Sequence, residues 1–79
     1  MLQYIKKEVL SVVNSRKIKG RLKELGFTQE ELANKMGITQ STLSHKINNT
    51  RTFKLDEALV LGKILEIKED DFNLYFFYS

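Results

Sequence analysis

Between Gly37 and Asn49 the chain carries Gln40, Ser41, Ser44, His45 and Asn48, each able to donate or accept hydrogen bonds, and no Asp or Glu. Their spacing, i, i+1, i+4, i+5 and i+8, places them on one face of a helix, where residues four apart stand above one another. Amides, hydroxyls and an imidazole grouped in this way can donate and accept in several directions. A carboxylate on the same face would repel phosphate. The residues present instead suit base edges: Gln can bond bidentately to adenine, and Ser can serve several bases. The chemistry on offer is recognition next to a polyanionic backbone. No paired carboxylates, Ser-His-Asp set or phosphate-cradling loop occurs in the sequence, so no catalytic residue is expected. One His and no Cys argue against a zinc site and exclude disulfides, and no cofactor is expected.

Two short helices are needed to present that face. Thr28 to Glu31 reads T-x-x-E, a capping box, with Phe27 and Leu32 placed for a hydrophobic staple. Leu32, Ala33 and Met36 form an inner face, and Gly37 suits the left-handed residue that stops a helix. Thr39 then caps the next helix, Gln40 to Asn48, with Ile38 and Leu43 as a second staple and Leu43 and Ile47 pointing inward. Two amphipathic helices joined by Gly37-Ile38-Thr39 make a helix-turn-helix unit. Upstream, Ile18, Leu22 and Leu25 predict a helix over Arg16–Leu25, capped by Asn14 or Ser15 and ended by Gly26. Downstream, Leu55, Leu59, Gly62 and Leu65 predict a helix over Leu55–Leu65 with Lys54 as a poor cap. Asn48 and Asn49 tolerate the left-handed turn before it. The two ends stay open. Leu2, Ile5 and Val9 read as helix, whereas Val9 to Val13 reads as strand. Asp70 and Asp71 suit a short helix, whereas Leu74 to Tyr78 reads as strand.

The charge is unevenly spread. Residues 1–54 carry eleven Lys and Arg against four Glu, net +7, and residues 55–79 carry two Lys against six Asp and Glu, net −4. The basic part suits a polyanion. At 79 residues, one domain without staples must rely on close helix packing or on association. No apolar run approaches the roughly 20 residues needed to span a bilayer. The first residues lack the cationic-then-apolar order of a signal peptide, so a soluble cytoplasmic protein is expected.

The stretch Leu25-Gly26-Phe27-Thr28-Gln29-Glu30-Glu31-Leu32-Ala33, then Met36-Gly37-Ile38, Ser41-Thr42-Leu43-Ser44 and Lys46-Ile47-Asn48-Asn49 resembles the lambdoid repressor/Cro (XRE-type) helix-turn-helix family. The resemblance covers about Lys17 to Ile67 and departs from the family where Asn49 replaces a usual Gly. It implies an all-α fold of four to five helices, lambda-repressor-like, with short strands left open at the two ends. It also implies a sequence-specific regulator of transcription, a repressor binding a palindromic operator in double-stranded DNA as a homodimer. Thr39, Gln40, Ser41, Ser44 and His45 match positions that enter the major groove. Gln29 matches a phosphate-holding position at a helix start, and Asn48 and Arg51 match the phosphate-gripping loop. Lys46, at the flank, is assigned to phosphate as well.

The chain divides into an N-terminal extension (1–14), the helix-turn-helix domain (15–67) and an aromatic segment (68–79). Five of eight aromatics, Phe72, Tyr75, Phe76, Phe77 and Tyr78, fall in that last segment. Such a concentration suggests a dimerisation element, paired as a strand with residues 9–13, or a surface for another protein. The competing function is therefore an antitoxin-like interaction module with autoregulatory DNA binding.

Overall fold

A computed structural model describes residues 10–78. The element order is strand β1 (Leu10–Val13), helices α1 (Ser15–Leu25), α2 (Gln29–Met36), α3 (Gln40–Ile47) and α4 (Leu55–Ile64), a 3-10 turn at Glu69–Asp71, the one-turn helix α5 (Phe72–Tyr75), and strand β2 (Phe76–Tyr78). The fold is thus mostly helical, as expected, and both ends resolve as strand. β1 and β2 pair antiparallel, with Leu10 opposite Tyr78, Val12 opposite Phe77 and Val13 opposite Phe76, and an irregularity between Leu10 and Val12. The helical reading of Leu2 and Ile5 lies outside the described residues. At the C-terminal end both alternatives hold in succession, a helical turn through Asp71 and then a strand.

Local sequence explains the first three helices. Asn14 caps α1 by accepting from the Lys17 N–H at 3.2 Å, and Gly26 ends it at φ 77°. The α2 capping box forms: the Glu31 N–H donates to Thr28 Oγ1 at 3.1 Å, and the Thr28 N–H donates to Glu31 Oε1 at 2.9 Å. Gly37, at φ 73°, ends α2 and turns the chain into α3. An L side chain in that left-handed region costs about 1–2 kcal/mol, which glycine escapes. Asn49 takes the same region at φ 66° after α3.

The core joins the three stretches into which the sequence divides. Val13 comes from the first, Ile18, Leu22, Leu32, Leu43, Ile47 and Leu61 from the second, and Phe76 from the third, all buried. Phe53 is buried and meets the Phe76 ring edge-on, with centroids 6.4 Å apart.

One face is corrected. Gly62 and Leu65 are buried as expected, but Leu59, expected beside them, is 53% exposed, and Ala58 and Leu61 are buried in its place. The segment Leu55-Asp56-Glu57-Ala58-Leu59-Val60-Leu61-Gly62-Lys63-Ile64 is apolar on nearly every side, so periodicity alone does not fix its rotation. Packing does: a Cβ on Gly62 would lie 3.1 Å from the Phe72 ring, and this close approach turns Ala58 and Leu61 inward with it.

Candidate nucleic-acid interface

α3 is fastened at its back and flanks. At its C-terminal end the Ser15 hydroxyl donates to the Ile47 carbonyl. One residue beyond its cap, the Asn49 amide acts as a strand partner for β1. Its Oδ1 accepts from the Val13 N–H at 2.8 Å, and its Nδ2 donates to the Val13 carbonyl at 3.0 Å. Leu43 and Ile47 fill the core beneath. On the α4 side Lys46 Nζ sits 2.7 Å from Glu57 Oε1, donates to the Thr52 carbonyl at 3.3 Å, and lies 5.7 Å from the Phe53 ring centre. Lys46 is 8% exposed. The phosphate role assigned to Lys46 is therefore withdrawn: its charge faces inward, tying α3 to α4. Burial raises the pKa of the Glu57 carboxyl, but the hydrogen bonds from Lys46 and the Lys54 N–H, with the charges of both lysines, outweigh it. The net effect holds Glu57 below its ordinary value.

The outer face of α3 stays open. Gln40, Ser41, His45 and Asn48 are exposed, Ser44 is half-buried, and Asn48 Nδ2 lies 3.4 Å from Ser44 Oγ. Thr39 is exposed too, but its hydroxyl is engaged. It accepts from the Thr42 N–H at 3.1 Å and donates to the Thr42 hydroxyl at 2.9 Å, which leaves one lone pair. Thr39 thus acts as the cap that starts the helix.

His45 has a fixed partner that the sequence did not reveal. The Thr50 hydroxyl lies 2.9 Å from the His45 carbonyl and 2.9 Å from His45 Nδ1. That carbonyl also accepts from the Thr50 and Arg51 N–H groups, at 2.9 and 3.2 Å, so the hydroxyl proton can go to it or to Nδ1. In either tautomer Thr50 engages Nδ1, and Nε2 is left to donate or accept according to which nitrogen carries the proton.

A second polar locus lies at the start of α2. Gln29 shares a shallow concavity of about 390 Å³ with Lys19 and Lys23 of α1, over Gly20, Leu22 and Phe27. The basic run Arg16-Lys17-x-Lys19-x-Arg21-x-Lys23 reads as one solvated face, yet the fold sorts it. Lys19 and Lys23, four apart, flank the α2 N-terminus. Arg21 instead caps α4, donating from Nε to the Leu65 carbonyl at 2.8 Å, and Lys17 stands 5.1 Å from the Tyr75 ring centre. Arg51 is exposed in the loop after α3, where its N–H donates to the His45 carbonyl at 3.2 Å. Among the described residues no cluster of His, Asp and Glu could hold a metal, and no helix is long and apolar enough to cross a membrane.

The arrangement defines a small helical domain whose helix-turn-helix unit presents one uncharged polar helix face. By sequence the chain belongs to the family described as "Protein of unknown function (DUF739)", whose model matches residues 12–79. Two curated relatives, both described as UPF0251 proteins and both from Desulfitobacterium hafniense (strains DSM 10664/DCB-2 and Y51), are 43% identical over 49 residues. The match takes in 62% of this chain and 38% of each relative.

Proposed function

We propose that this chain is a sequence-specific double-stranded DNA-binding regulator of transcription, a repressor of the lambdoid repressor/Cro type. The observation that carries the reading is the outer face of α3, on which Gln40, Ser41, Ser44 and His45 are accessible while Lys46, Asn49 and Ile47 hold the helix from behind. A reading helix must be rigid, because each base contact pays its ordering cost before binding if the face is preorganised. Gln40 is assigned to an adenine edge, and Ser41, Ser44 and His45 Nε2 to neighbouring base edges. Gln29 with Lys19 and Lys23, and Asn48 with Arg51, hold phosphates on either side. These set register and affinity without selecting sequence. Thr39 supports the helix as its cap. No catalytic role and no cofactor are part of this reading.

The antitoxin-like alternative needs the aromatic segment available to a partner. Phe76 lies in the core instead, and Phe72 and Tyr75 pack against it, which weighs against that reading.

Titration of labelled duplexes tests the assignment. Gln40→Ala should weaken binding to a selected operator by about 1–3 kcal/mol and leave random DNA almost unchanged. Equal loss on both would remove Gln40 from sequence reading.

A further inference from the structure

The outward face of α4 is apolar at its centre and charged at its ends. Leu59 is 53% exposed and Val60 46% exposed, with exposed Asp56 on one side along the helix and exposed Lys63 on the other. At 100° per residue, positions 56, 59, 60 and 63 fall within an arc of about 100°, so they form one stripe. Leu59 and Val60 stand as a ridge between two shallow concavities. One is lined by Lys54, Leu55, Asp56 and Leu59, and the other by Met36, Ile38, Asp56, Glu57 and Val60. A ridge flanked by hollows is the shape that a second helix bearing the same ridge can interlock with.

The charges say which helix fits. Asp56 and Lys63 are equally far from the midpoint between Leu59 and Val60. When two copies of α4 cross antiparallel about a two-fold axis through that midpoint, Leu59 of each meets Val60 of the other. Asp56 then faces Lys63 of the other copy at both ends, and the helix dipoles oppose favourably. A parallel pairing would set Asp56 against Asp56 and Lys63 against Lys63.

We infer that this stripe is a homodimer interface, with a second copy of the chain as its occupant. The inference is independent of DNA binding, and it moves the dimer contact from the aromatic segment, where the sequence suggested it, to α4. One pair of short helices buries less than the roughly 1,600 Å² of a standard interface, so the association is weak and concentration-dependent.

Sedimentation equilibrium of the full chain from micromolar to millimolar concentration is the test. The wild type should pass from monomer to dimer. Lys63→Glu, which places two like-charge pairs in each dimer, should raise the dissociation constant about tenfold or more. Adding Asp56→Lys to Lys63→Glu should bring it back to within about threefold of the wild type, because both ion pairs are restored with reversed sign. Leu59→Ser lies outside the core, so it should dissociate the dimer while leaving the far-ultraviolet circular dichroism unchanged. A monomer throughout the range would overturn the inference, as would a dimer indifferent to Lys63→Glu or Leu59→Ser. If the double variant folds but does not recover association, the antiparallel register is wrong.

Discussion

Lys46 shows how far a residue's role depends on packing. It lies in α3 next to His45, and along the sequence it looks like one more cation for a phosphate. Its partner Glu57 is eleven positions away, on the next helix, and no pattern along α3 reveals that pairing. The folded Glu57 carboxyl titrates below its ordinary value. Its contribution to stability is therefore complete above the unfolded-state pKa and is lost as pH falls through the folded one. Glu57→Gln should cost about 1–3 kcal/mol at neutral pH, and the deficit should close in acid below the folded pKa. Urea unfolding at the two pH values measures this. A deficit that stays constant with pH would mean the charge of Glu57 is irrelevant to the fold. Thr50 escaped sequence reading for a related reason: its contact with the His45 ring depends on a loop geometry that residue types alone do not fix.

The elements divide by the range of the forces that set them. The caps of α2 and α3, their termination at Gly37 and Asn49, and the turn between them depend on contacts three or four residues apart, so they were legible. The face of α4 was not, because its sequence offers several apolar stripes and the Phe72 ring against Gly62 chooses among them. Asn49 falls between these cases. Its left-handed backbone follows from residue type, whereas its clasp on Val13 spans 36 positions. Asn49→Gly separates the two, since glycine keeps the turn and deletes the clasp. Loss of the two hydrogen bonds should destabilise by about 1–2 kcal/mol after the small gain of glycine at positive φ. The Val13 amide should then exchange with deuterium at least about tenfold faster. Unchanged exchange at Val13 would show that the clasp does not hold β1 against α3.

For the molecule as a whole, the aromatic end is structural before it is anything else. Phe76 is fully buried and the Asn14 N–H donates to the Tyr75 carbonyl at 2.8 Å, so this segment closes the domain. Composition showed that five aromatics sit together, but whether one copy or two would bury them depended on the β1–β2 pairing, which only the fold reveals. Phe76→Ala should cost about 3–5 kcal/mol, much of the stability of a domain this small, and thermal unfolding would register it. A melting temperature within a few degrees of wild type would place Phe76 outside the cooperative core. The basic share of the chain is likewise sorted by folding: Lys46 and Arg21 are committed to the fold, while Lys19 and Lys23 flank the α2 N-terminus. The most direct test of the proposed function is selection of bound sequences from random duplex DNA by the wild type and by Gln40→Ala. The expected result is one enriched two-fold symmetric motif for the wild type, and for Gln40→Ala the same motif with one position of each half-site relaxed. No enrichment by the wild type, or an identical motif from both proteins, would contradict recognition through the outer face of α3.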